Sequence, residues 1–528
     1  MEIFLNPYVA LFVIIAVGIA VGKISIQGIS LDTSAVIFIA FIFGHFGVIM
    51  PSIIQKIGLI FFIYSVGIQA GPGFFESFKK HGLKLIVLSA IVVGSGAILT
   101  LLSSYAFNIE KELVVGIFTG ALTSTPGLAA AIESTKSPLA SIGYGIAYPF
   151  GVLGVILFVK FVNKFLRVDV QKEEAKYQQE IISDHPMLIN KNYVVENPNV
   201  FGKSIDEIKI RSMTSTNVSR VLHGDQAFTP TLDTILTEGD IIKVVGTEFD
   251  LKNIEILIGK ETDRQISLGK KFVVKPFLVS NKEVVNKSFV QLALFTKYNA
   301  TATSIRRSGI NIAPNAHTKI RFGDKIMIAC SEDDLKAVSN LFGDDRKVLV
   351  ELDFLPVSIG IIIGILVGMI SIPLGDGAFK LGLTGGVLLS SLILSKIGKT
   401  GNLIWNIAGE SNQMLRKLGL LLFLTSVGTN AGEHIVETIL NNGYELLIVG
   451  AIITFFPMFI ATIIGHYFYK LNFLTLIGAL TGSMTSTPAL SSIDSLIESN
   501  APKIAYANVY PFALVLIIVF SQVLAKIL

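Results

Sequence analysis

The sequence predicts an α-helical polytopic membrane protein: two inverted repeats with broken or re-entrant helices, and between them two tandem small α/β domains. Three observations lead there. The first is composition: 528 residues with 51% hydrophobic and 16% charged side chains give a mean hydropathy of +0.66, too apolar for a chain soluble throughout and too long for one domain. The second is a near-identical pair of octapeptides, Thr119-Gly-Ala-Leu-Thr-Ser-Thr-Pro126 and Thr481-Gly-Ser-Met-Thr-Ser-Thr-Pro488, each followed at one offset by Tyr-Pro-Phe (Tyr148 to Phe150, Tyr510 to Phe512). The third is the placement of lysine and arginine between the apolar stretches, which fixes direction.

Apolar stretches crowd residues 7–165 and 352–528, among them Leu83 to Leu102, Ala147 to Val162 and Ala505 to Leu524. Tyr8 to Gly22 lacks a preceding basic segment and a convincing cleavage site, so it reads as the first transmembrane helix and not as a signal peptide. The duplication extends beyond the octapeptide. Leu59 to Gly67 corresponds to Leu420 to Gly428, Ala70-Gly71 to Ala431-Gly432, and Gly18, Gly22 and Ile24-Ser25-Ile26 to Gly364, Gly368 and Ile370-Ser371-Ile372.

With the N-terminus outside, Lys23, Lys79, Lys80, Lys84, Lys160, Lys164 and Arg167 fall inside, and Lys56, Lys111 and Lys136 outside. This requires five crossings in the first copy, at about 8–23, 33–50, 57–71, 83–105 and 142–163. Residues 113–135 must then enter and leave on one face, with a tip near Ser124-Thr125-Pro126-Gly127. The second copy starts inside after Arg346 and Lys347, which also places Lys396, Lys399, Arg416, Lys417, Lys470 and Lys503 inside, and Lys380 and Lys526 outside. An odd crossing number makes the copies oppositely oriented. If residues 113–135 and 474–498 span fully, the number is even and the repeat parallel.

Residues 169–345 mix charge into short alternating runs. Arg220-Val-Leu-His-Gly224, Pro230 and Gly239-Asp240 are echoed by Arg306-Arg-Ser-Gly309, Pro314 and Gly323-Asp324. Strand-like Ile241 to Val245 and Lys325 to Ala329 precede helix-like Asp250 to Leu257 and Glu332 to Leu341. The expected domains are 1–168 (repeat 1), 169–262 and 263–348 (two α/β modules, cytoplasmic) and 349–528 (repeat 2).

Thr125-Pro126 and Thr487-Pro488 have the grammar of a helix start: a hydroxyl N-cap, then Pro at the first helical position. The free N–H groups of a helix start carry roughly half a positive charge, which suits a carboxylate. In an inverted repeat the two starts can approach each other. With Thr123, Ser124, Gly127, Thr485 and Ser486 they could hold an anion without Arg or Lys; the alternative is that Ser/Thr-Pro only kinks two helices. Ser65 and Gln69, with Ser426 and Asn430, are secondary binding candidates or packing groups. Glu133 and Asp494 are candidates for coupling a proton or cation, or stand in water at the hairpin mouth. Tyr148 and Tyr510 are candidates for gating, or helix anchors.

Function classes are excluded by what is missing from the sequence. The single cysteine, Cys330, rules out an intrachain disulfide and a cysteine metal cluster. The seven histidines show no metal-ligand spacing, and neither a Ser-His-Asp set nor a phosphate loop is evident, so no metal, cofactor or enzymatic activity is expected. A net charge of +4 without a dense basic run argues against nucleic acid.

With the doubled Thr-Ser-Thr-Pro and the two central modules, the whole chain resembles the aspartate:alanine exchanger family of bacterial secondary transporters. The modules resemble RCK C-terminal domains. The resemblance implies a multi-pass protein of the bacterial inner membrane, a homodimer, and antiport of amino acids or small carboxylates such as aspartate and alanine by elevator-like or rocking alternation. It also implies a regulatory nucleotide or other small ligand at the modules, or a dimerising role for them. Its partners would be a small anionic or zwitterionic substrate and membrane lipid. An RCK-regulated ion channel and a membrane ligand sensor are the alternatives; the absence of a Thr-Val-Gly-Tyr-Gly filter weighs against the channel.

Overall fold

In the computed structural model the first repeat opens with α1 (Pro7–Gly22), whose start is set by Asn6 accepting the Tyr8 and Val9 N–H groups ahead of a run with Pro7 at its first position. There follow α2 (Ala35–His45), α3 (Ser52–Glu76), α4 (Gly82–Phe107), a broken pair α5 (Lys111–Ala121) and α6 (Thr125–Thr135), and α7 (Leu139–Leu166). α8 (Val170–Asp184) leads into the modules. The second repeat contains α11 (Phe354–Met369), α12 (Gly382–Ile397), α13 (Gly409–Ile463), the broken pair α14 (Phe473–Ser483) and α15 (Thr487–Asp494), and α16 (Ala501–Ile527). α13 is one helical run of 55 residues that contains the segments equivalent to both α3 and α4.

The structure describes residues 6–24, 32–76, 82–184, 189–214, 216–228, 230, 233–246, 248–264, 266, 272–298, 300–307, 310–312, 314, 317–345, 352–374, 377–494, 499 and 501–528. Ser25, Ile26, Lys79, Lys80, His81, His185, Gly309, Arg346 and Lys347, used above, lie outside them.

Glycine contacts reveal how the helices run. A Cβ at Gly120 would meet Tyr144 and Ala147, and one at Gly151 the Gly120 and Ala121 carbonyls; Gly116 faces Ala140 and Gly143 faces Leu113. α5 and α7 are therefore parallel with their starts level, and α6 must return between them. In the second copy Gly478 lies on Pro502 and Gly482 on Tyr506, so α14 and α16 repeat the arrangement. Both broken pairs are hairpins that leave on the side they entered, and the full-span alternative does not hold.

The two copies cross at Gly58 and Gly419, which the Leu59 and Leu420 correspondence makes equivalent. A Cβ at Gly58 would stand 2.6 Å from the Phe423 N, and one at Gly419 2.5 Å from the Phe62 N. The same helices meet again where the Asn412 side chain donates to the Ser65 carbonyl at 3.0 Å, so α3 and the start of α13 are antiparallel. Equivalent helices that cross antiparallel about a reciprocal contact define an inverted repeat. Because backbone fills the space, Gly419→Val is expected to lose ~1–3 kcal/mol or more. A lower thermal midpoint in detergent checks this; an unchanged midpoint would refute so close a crossing.

The modules are two antiparallel sheets. The first has β1 (Ile189–Val194), β2 (Asn217–His223), β3 (Gln226–Phe228), β4 (Ile241–Gly246) and β5 (Glu261–Thr262) in the order β3-β2-β4-β1-β5, with α9 (Glu248–Leu257) packed on it. The second has β6 (Phe272–Leu278), β7 (Thr301–Arg307), β8 (Ile310–Ile312) and β9 (Lys325–Ser331) in the order β6-β9-β7-β8, with α10 (Leu335–Phe342). Strand register corrects the sequence alignment of the modules. β2 and β7 superpose so that His223 corresponds to Arg307, not Arg220 to Arg306. The chemistry agrees: His223 Nδ1 lies 2.7 Å from buried Asp240, and Arg307 grips buried Asp324 with two bonds of 2.8 and 2.7 Å.

The second module is fastened to the membrane helices. Arg321 donates to the carbonyls of Ile397 (3.0 Å) and Lys396 (2.5 Å) at the end of α12, where a helix carries partial negative charge. The Asn286 side chain donates to the Ile397 carbonyl at 3.0 Å, and Lys399 to the Lys282 carbonyl at 2.8 Å.

Candidate functional site

The hairpin tips touch through a reciprocal pair of hydrogen bonds. Thr123 Oγ1 donates to the Met484 carbonyl and Thr485 Oγ1 to the Leu122 carbonyl, each at 2.8 Å. Both threonines take a left-handed backbone, φ +52° and +50°, a strained state for a β-branched residue that tertiary contact must hold. These two hydroxyls hold the tips together.

The cap sits one residue earlier than the sequence suggests. Ser124, not Thr125, is the N-cap of α6; its side chain accepts the Gly127 N–H at 3.1 Å, and Thr125 and Pro126 are the first two helical residues. Ser486 repeats this with Ala489 at 3.4 Å. The left-handed Thr forces the shift, because it turns the chain before the serine. Since Pro has no N–H and the serine takes up the third, each helix start presents to a ligand mainly its first N–H, from Thr125 or Thr487. Gly127 is a packing position: a Cβ there would reach Ile517 at 2.6 Å.

A cavity of about 680 Å³ lies against the tips. Thr123, Thr125, Pro126, Thr485, Thr487 and Pro488 line it, with Tyr148, Tyr510 and Gln69. Ser124, Gly127 and Ser486 are not among the lining residues, nor are Ser65, Ser426 and Asn430. Ser65 is buried and donates to the Phe61 carbonyl at 2.7 Å, and Ser426 is fully buried. Two tyrosines back each threonine. Thr125 Oγ1 is 3.1 Å from the Tyr144 hydroxyl and Thr487 Oγ1 3.1 Å from that of Tyr506. Tyr144 stands 5.2 Å from Tyr148 and Tyr506 5.3 Å from Tyr510. Tyr148 accepts a 2.7 Å bond from Ser34.

Glu133 is placed elsewhere. Its carboxylate accepts the Leu383 N–H, and the Thr384 N–H at 2.9 Å, at the start of α12. It caps a helix of the other copy and is not among the residues that line the cavity. Asp494 closes α15, and its side chain is outside the described structure.

The residue that sequence reasoning missed is Arg416. It lines the cavity half-buried, and its Nη1 donates to Gln69 Oε1 at 3.0 Å. A guanidinium so placed puts a fixed charge in the cavity beside the helix starts, and its planar fork suits a carboxylate. Its repeat equivalent is Gln55, so the first copy supplies no matching guanidinium.

A family model described as "Predicted Permease Membrane Region" matches residues 10–164 and 356–526, and the TrkA-C domain model matches 193–258 and 277–343. Uncharacterized transporters of Bacteroides fragilis and Bacteroides thetaiotaomicron are each 46% identical over 99% of this chain and 98% of their own. An uncharacterized transporter of Desulfotalea psychrophila is 35% identical over 99% of this chain and 97% of its own. Among solved structures, the RCK domain of GsuK aligns with 30% of this chain and 64% of that one, at 12% identity and a TM-score of 0.16. The chain belongs to the predicted-permease membrane-region family, as a multi-pass membrane protein with two cytoplasmic TrkA-C domains between its halves.

Proposed function

We propose that the protein is a secondary active exchanger of small carboxylates or amino acids, such as aspartate and alanine, with its substrate held between the two hairpin tips. The observation that carries this reading is the reciprocal tip contact beside a cavity that holds Arg416, Thr125 and Thr487 together. Its volume fits a small molecule, and two oppositely entering hairpins are the arrangement expected of an alternating-access site. Arg416 would take one carboxylate; the Thr125 and Thr487 hydroxyls and N–H groups would take the remaining polar atoms. The inverted repeat is what supports an elevator-like movement; α2, α3, α12 and the start of α13 pack across the repeats, and each hairpin packs on its own following helix, the first also meeting α16 at Gly127 and α12 at Glu133.

Thr125→Val combined with Thr487→Val removes both hydroxyls while preserving shape. Proteoliposomes with the wild-type protein, loaded with unlabelled L-aspartate, are expected to show saturable uptake of labelled L-aspartate or L-alanine, and the double variant at least a tenfold loss. Unaltered counterflow by the variant would remove the site.

A further inference from the structure

The cavity does not end at the membrane helices. Its lining continues onto the second module through Arg306, Arg307, Arg321, Asp324 and Lys325. Arg307 is engaged by Asp324, and Arg321 by the end of α12. Arg306 and Lys325 are different. They are register partners on β7 and β9, both exposed, so two like charges stand side by side, a destabilising pairing on a sheet. Among the described residues neither has a carboxylate in salt-bridge contact.

The duplication supplies an internal comparison. The corresponding register pair in the first module is Leu222 and Ile241, both buried and clustered with Ile266. The same fold therefore closes this position with an apolar pair when it is covered by its own chain, and carries two cations where it lines the cavity. Folding does not require the charges. The lining also carries Arg416 and Lys417, and among the described residues its only carboxylates are Asp32 and the already paired Asp324.

We propose that the second TrkA-C module is part of the permeation path: Arg306 and Lys325, with Lys417, form a cationic vestibule that concentrates small anions and delivers them to Arg416 and the hairpin tips. This deepens the reading of the site given above. The low-dielectric walls around a cavity with an excess of cations focus its field, raising the local anion concentration and on-rate by roughly ten- to a thousandfold, with strong salt dependence.

The test needs no substrate. Gln413, exposed in the cavity lining, is changed to Cys in full-length protein with Cys330→Ala; Cys330 is buried, so a second background that retains it serves as a folding control. Modification is timed with anionic sulfonatoethyl methanethiosulfonate and cationic trimethylammonioethyl methanethiosulfonate, each relative to a free thiol. At ~10 mM salt, where screening is weak, the anionic reagent is expected to be favoured roughly tenfold. Arg306→Gln with Lys325→Gln should bring the ratio toward that of the free thiol, as should molar salt. A ratio already at the free-thiol value, or one unmoved by the double substitution, overturns the vestibule. A cationic preference does so too. If the ratios behave as expected while wild-type counterflow is absent, the exchanger reading fails and the vestibule stands.

Discussion

Arg416→Gln is expected to raise the KM for L-aspartate counterflow by roughly ten- to a hundredfold, because hydrogen bonds to a charged partner contribute about 1.5–3 kcal/mol. Arg416 is half-buried in the cavity wall and meets Gln69, so the glutamine variant can keep that polar contact while losing charge. Folding should be preserved, and size-exclusion chromatography in detergent checks this. Arg416→Lys should fall between the two, since it retains the charge without the planar fork. If the substrate carries no carboxylate, the glutamine variant will leave KM unchanged. That result would remove Arg416 from the site.

The second large effect is expected at the tips. Thr123→Val and Thr485→Val each remove one of the two bonds that join the hairpins and leave a buried carbonyl without its donor, costing about 1–3 kcal/mol apiece. The two single variants should lower the thermal midpoint by similar amounts, since the contact is reciprocal. The double variant should depart from additivity, because both bonds belong to one interface. Counterflow should fall in all three. Strict additivity would show the two bonds acting independently and would weaken the picture of one joined pair of tips.

The sequence made the repeat legible because its signature sits on backbone geometry that both copies need: a Thr able to hold a left-handed turn, a capping Ser, and a Pro within the first turn. The hairpins were legible from charge, since Lys111 and Lys136 flank one segment on the same side. Two features resisted reading. The cap falls on Ser124 because Thr123 is turned by a partner 361 residues away, and no local propensity reports that. Arg416 looked like one of several inside-marking cations; a charge count carries no depth, so its place in the cavity was invisible. The contrast of Arg416 with Gln55 at the equivalent position was the available signal.

Glu133 and the module alignment show the same limit. A carboxylate two turns past a Pro could couple ions or cap a distant helix, and only the position of α12 decides that it caps. Matching identities paired Arg220 with Arg306, whereas sheet register pairs His223 with Arg307, two residues away. In a strand an even slip keeps the same face, so alternation alone could not expose the error.

In the proposed exchanger both hairpin tips contribute to one binding site. Thr125→Cys and Thr487→Cys, made singly in the Cys330→Ala background, can be modified with a small thiol reagent from the module side while L-aspartate is titrated. Both thiols are expected to be protected, with the same half-protective concentration. Protection of only one, of neither, or of the two at clearly different concentrations would contradict it.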